Sequence, residues 1–157
     1  MGWYLGLKLV HILSGTLLLG TGLGIAFFMW RADRSRDVRA IAVVSRNVVL
    51  ADCWFTAPAV VIQPATGFGL LHITGVPVMT PWVVASLVIY LLVGACWLPV
   101  VWLQLRVAAL AQQADQAGTS LPSSYRVLMG CWYALGVPAF LGVLLIYYLM
   151  VVRQLPW

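Results

Sequence analysis

His11 is followed at helical spacing by Gly15, Leu18 and Gly22. On a helix these residues share one face, and a glycine one turn below an imidazole leaves room for a flat ring against the backbone. An axial haem ligand in a helical bundle needs that arrangement. A histidine hydrogen-bonded to a neighbouring helix, or reaching the interface beside Lys8, accounts for the same pattern. His72 is the only other histidine. Antiparallel alignment of the first two apolar runs leaves it about 9 Å nearer the surface than His11, at 1.5 Å per residue. It is an optional second ligand or a solvated loop side chain.

A second constellation is a polar stripe. Ser45, Val49, Asp52, Thr56, Ala59, Gln63 and Gly67 recur at steps of three and four, so they share one helix face. Polar groups at membrane depth are costly and normally face a bundle interior or a water-filled cavity. Asp52 is the only acid within an apolar run. It reads as a proton or cation handle, or as the partner of Arg46 or Arg106. With Thr56 and Gln63 it forms the intramembrane polar set.

Small residues at spacings of four form two further stripes, Thr16–Gly20–Gly24 and Gly130–Ala134–Pro138–Gly142. They suit close helix approach in lipid, within the bundle or between protomers. Cys53, Cys96 and Cys131 lie far apart in apolar runs without a CxxC pair, which argues against a disulfide framework or zinc site and for small buried hydrophobes. No phosphate loop, HExxH or nucleophile elbow occurs, and the catalytic residues, if any, are unknown.

The elements that must carry these residues follow from composition. The chain has 157 residues, 63% hydrophobic and 8% charged, with a mean hydropathy of +0.99. A soluble domain is about 25% charged and about 45–50% apolar, so the bilayer is the solvent that suits this chain. About 20 apolar residues cross the hydrocarbon core as a helix. The sequence predicts one all-α domain over residues 1–157, a four-helix integral membrane bundle with spans at about 4–30, 47–72, 82–105 and 125–152. Ala32 to Ala40 and Arg106 to Ser124 read as polar connections. Gly67-Phe68-Gly69 and Thr74 to Pro77 read as a break and a turn.

Lys and Arg set the orientation. Arg31, Arg34, Arg36, Arg39, Arg46, Arg106 and Arg126 flank the first and third connections, while Lys8 and Arg153 flank the other end. Seven against two places those connections in the cytoplasm and both termini outside. Trp3, Tyr4, Trp30, Trp82, Tyr125 and Trp157 fall where an aromatic belt belongs. The net charge of +5 resides in residues bordering apolar runs, which excludes nucleic acid as a partner.

Lys8-Leu-Val-His11-Ile, Phe55-x-x-Pro58-Ala59-x-x-x-Gln63-x-x-Thr66-Gly67, Trp82…Tyr90, Trp97-x-Pro99, Gly136-Val-Pro138-Ala-Phe and Leu149-Met-Val together span nearly the whole chain. In them it resembles a bacterial family of integral membrane proteins of unknown function, DUF2269. More distantly, through Lys8-x-x-His11-Ile and Pro58-Ala59, it is similar to the membrane-embedded haem-containing protoporphyrinogen oxidases. That resemblance implies a b-type haem with His11 as ligand. The third span lacks the Trp-x-His-x-Lys arrangement of that family, because Val-Val-Ala follows Trp82, and the chain ends Arg153-Gln-Leu-Pro156 rather than Lys-Pro.

Three readings stand from the sequence. The first is a haem-binding redox protein of the bacterial inner membrane, with His11 as ligand, His72 an optional partner, and Gly15 and Gly22 making space. The second is a non-enzymatic subunit or assembly factor, acting through helix contacts as a homo-oligomer or with another membrane protein. The third is a small transporter using Asp52, Thr56 and Gln63. In all three the surrounding partner is the lipid bilayer.

Overall fold

The computed structural model describes residues 2–153. Among these, four helices are long and apolar enough to cross a membrane: α1 Gly2–Ser35, α2 Val38–Thr74, α3 Pro81–Ala117 and α4 Ser123–Val152. The all-α four-helix class is as the sequence predicts. Trp157, assigned above to the aromatic belt, and the ending after Arg153 lie outside the described residues.

The helices run past the expected spans, because the polar connections are mostly helical. Only residues 36–37 separate α1 from α2. Arg36 turns the chain with φ 58°, and the Asp37 carboxylate caps α2 by accepting from the N–H groups of Arg39 and Ala40. The third connection contracts to residues 118–122, with Gly118 at φ 62° ending α3. The cause is a pair of matched stripes. Ile41, Ala42, Ser45 and Val48 are buried on α2, and Val107, Ala108, Ala111 and Ala114 on α3, both following the i, i+1, i+4, i+7 pattern of an amphipathic helix. Ile41, Ala42, Val48, Val107 and Ala111 of these stripes form one hydrophobic core with Ile25 and Met29 of α1 and Met129 and Trp132 of α4. That core lies in the arginine-bearing half of the bundle.

A polar clamp holds α1 to α4 there. Asp33 accepts hydrogen bonds from the Tyr125 hydroxyl at 2.9 Å and the Tyr133 hydroxyl at 3.1 Å. Tyr125, expected in the interfacial belt, is 3% exposed and spends its hydroxyl on this clamp. Cation–aromatic stacking occurs where chain leaves lipid: Arg34 on Trp30, Arg106 on Trp102, and Lys8 on Tyr4 at the opposite end.

The Gly67-Phe68-Gly69 segment does not break α2, which continues to Thr74 and turns at Gly75 with φ 69°. The glycines serve packing. A Cβ on Gly67 would stand 3.3 Å from Cε1 of His11, and one on Gly69 2.7 Å from Cδ2 of Leu7, so the missing side chains let α1 seat against α2. The cysteines correct another expectation, since Cys53 and Cys131 are exposed on the bundle's outer face rather than buried. The small-residue stripes divide. Gly142 meets Val93 of α3 closely, whereas a Cβ on Gly20, Gly24 or Gly130 would meet nothing within 4 Å.

Candidate functional site

Two prolines shape α2. Pro58 lacks the N–H that Trp54 would use, and its ring crowds that carbonyl. The turn before it, Asp52–Thr56, is wound as a π-helix, a widening common at functional sites. Pro64 likewise leaves the Val60 carbonyl without its helical partner, and the Tyr90 hydroxyl from α3 donates to that oxygen. In lipid a freed carbonyl needs such a partner, so one proline fixes where α3 crosses α2.

Near the chain termini, α1 and α2 are joined by a polar layer. The Gln63 amide Nε2 is 3.3 Å from His11 Nε2, and Ser14 donates to the Gln63 carbonyl oxygen. On the other side of the ring, His11 Nδ1 is 2.9 Å from Thr66 Oγ1, which donates onward to the Ile62 carbonyl at 2.7 Å. One tautomer serves the whole chain: Nε2 accepts from the amide, and Nδ1–H donates to the threonine. Tyr147 of α4 reaches this layer, its hydroxyl 2.8 Å from where a Cβ on Gly15 would stand.

Between that layer and the hydrophobic core the helices part. A cavity of about 320 Å³ lies there, with walls from all four helices. Aliphatic side chains dominate it, together with the rings of Tyr90, Trp97, Trp132, Tyr133 and Phe140. Gly22, Gly94 and Gly136 line it, and a Cβ on any of them would meet nothing within 4 Å. These glycines are cavity wall, not helix contact. Leu23 of α1 and Val137 and Leu141 of α4 also line it while remaining more than half exposed, so the wall between α1 and α4 is open toward lipid.

At its inner end the cavity meets buried polar atoms. Asp52, on the π-helical turn, is 5% exposed; its Oδ1 accepts from Trp97 Nε1 at 3.4 Å, and its Oδ2 has no partner. Thr56 Oγ1, Gln104 Oε1 and Trp132 Nε1 are likewise buried without a partner, as is the Tyr147 hydroxyl at the other end. All five residues line the cavity. Buried polar groups are ordinarily satisfied, so these atoms set the two ends of the cavity apart from its aliphatic middle.

Of the residues singled out in the sequence, Gly15, Gly22, Asp52, Thr56 and Gln63 line this one cavity. His11 does not; it stands behind Gln63. His72 is exposed near the end of α2, and the ring partners of His11 are Gln63 and Thr66. A haem iron on His11 would need one of its nitrogens, yet both are engaged within the α1–α2 layer. As placed, the ring does not fit an axial ligand of a group held in the cavity. The space beside Gly15 is filled by Tyr147 and Gln63. Asp52 pairs with neither arginine, because Arg46 points outward and Arg106 stacks on Trp102. Gln104, Trp132 and Tyr147 were not legible as site residues. Each stands alone in an apolar run, and only helix packing brings them to the stripe on α2.

Comparison with curated proteins and with solved structures returned no match. A model of the family described as predicted integral membrane protein, DUF2269, matches residues 5–154. That match covers nearly the whole chain, including every residue that lines the cavity, and the chain belongs to this family of integral membrane proteins.

Proposed function

We propose that the protein binds a hydrophobic small molecule within the membrane, taking it up from the bilayer between α1 and α4. The observation carrying this reading is the 320 Å³ cavity with unpartnered polar atoms at both ends. Small-molecule sites occupy about 300–1,000 Å³, are mostly apolar, and fix orientation with a few polar groups. The wall between α1 and α4 is open toward lipid, so an apolar molecule dissolved in the bilayer has a lateral route into this space. In this reading the protein sits in a bacterial inner membrane, with the arginine-bearing connections in the cytoplasm, as the seven-to-two distribution of basic residues supports.

Binding of the neutral fluorophore N-phenyl-1-naphthylamine to purified protein in mild detergent tests the proposal, with empty micelles as blank. Saturable binding that Gly22→Phe abolishes supports it. Undiminished binding in Gly22→Phe overturns it. Haem, the group implied by the distant resemblance, requires His11 to release Thr66 or Gln63 and turn toward the cavity. A b-type reduced-minus-oxidised spectrum lost in His11→Ala would establish that rearrangement.

A further inference from the structure

The cavity has one fixed acid and no fixed base. Among the described residues Asp52 is the only carboxylate on its lining, and no Lys, Arg or His contributes to it. This runs against the chain as a whole, which carries a net charge of +5. Resting on the binding reading above, we propose that the ligand is an organic cation: a positively charged head on an apolar body, with Asp52 as its counter-ion.

Three independent features of the inner end fit a cation. The first is the unpartnered Oδ2 of a side chain that is 95% removed from solvent. An uncompensated carboxylate at membrane depth is costly, and such groups normally acquire a partner. Arg46 and Arg106 are turned elsewhere, so the protein supplies none. The second is the balance of the neighbours: two of the orphaned atoms on residues of this end, Thr56 Oγ1 and Gln104 Oε1, can accept from a donor, against one, Trp132 Nε1, that can only donate. The third is the aromatic side chains of Trp97, Trp132 and Tyr133 on this part of the lining. Ring faces attract a desolvated cation through their quadrupole, and such cages are used to hold quaternary ammonium groups. Trp97 also donates to Asp52 Oδ1, which holds the carboxylate beside the cavity. The aliphatic remainder of the cavity, toward Tyr147, takes the apolar body.

Two probes of the same shape and opposite charge test this: tetraphenylphosphonium and tetraphenylborate, measured by equilibrium dialysis against the full-length protein in neutral detergent. The wild type is expected to bind the phosphonium well above empty micelles and in preference to the borate, although the net charge favours the anion. Asp52→Asn is expected to weaken phosphonium binding by about thirtyfold or more, the effect of removing one member of a buried charge pair. Equal or better binding of the borate by the wild type overturns the proposal, as does unchanged phosphonium affinity in a folded Asp52→Asn. Should Asp52→Asn not fold, the two-probe comparison on the wild type decides alone. The naphthylamine measurement separates the two levels. Naphthylamine binding without cation preference overturns only the cation assignment; binding of no probe overturns the cavity reading as well.

Discussion

Gly22 gives the sharpest test of whether the cavity is a functional space. It is mid-helix on α1, lines the cavity, and has nothing within 4 Å of where a Cβ would project. A glycine in a helix interior costs about 0.5–1 kcal/mol relative to alanine, through the freedom it retains when unfolded. Gly94 and Gly136 share this situation. Gly22→Ala is therefore expected to raise stability by about 0.5–1 kcal/mol, and the triple alanine variant by about 1.5–3 kcal/mol if the sites are independent. Binding should persist in each alanine variant, since a methyl takes little of the 320 Å³. Gly22→Phe should fold equally well and lose binding, because its ring projects into the space. Thermal unfolding in detergent, followed by circular dichroism with and without the naphthylamine probe, reads both effects. Ligand linkage raises the midpoint only where binding survives. Gly15 and Gly142 are the controls: a Cβ there would stand 2.8 Å from the Tyr147 hydroxyl and 2.5 Å from Val93 Cγ2, so alanine should destabilise by about 1–3 kcal/mol through overpacking. If Gly22→Ala were as destabilising as Gly142→Ala, the glycine would be a helix contact and the reasoning would fail.

Three further outcomes follow from the geometry. Tyr90→Phe strips the Val60 carbonyl of the partner that Pro64 denies it and should cost about 1–3 kcal/mol in thermal unfolding. Pro64→Ala in the same background should recover most of that loss; failure to do so refutes the pairing. His11→Ala leaves Gln63 and Thr66 without their shared partner. It should lower the midpoint by a similar amount; an unchanged midpoint refutes this placement of the ring. Tyr125→Phe and Tyr133→Phe each remove one hydrogen bond to Asp33. Each should cost about 1.5–3 kcal/mol, and a double-mutant cycle should show coupling, because both bonds end on one carboxylate.

Composition and periodicity alone establish the class, the four apolar helices and the polar face of α2. These depend on local quantities: the apolar content of each run, the 3.6-residue period, and the preference of Lys and Arg for the ends of spans. The stripe from Ser45 through Asp52 and Thr56 to Gln63 was legible because one helix carries all of it. How far the helices extend was less legible. The Arg106 to Ser124 segment looks like a loop by charge, but the buried Val107–Ala111–Ala114 stripe carries α3 on to Ala117. The same local reading offered His11 with Gly15 as an open ligand face, and it failed to show that Thr66, Gln63 and Tyr147 fill that space. That filling is a matter of packing. It depends on which faces of α1, α2 and α4 meet, and that is set by complementary side-chain shapes from runs more than 50 residues apart. The cavity is likewise a property of packing. Gly22, Gly94 and Gly136 look like any small-residue contact positions along the chain, and only the divergence of the helices above the core leaves them facing space.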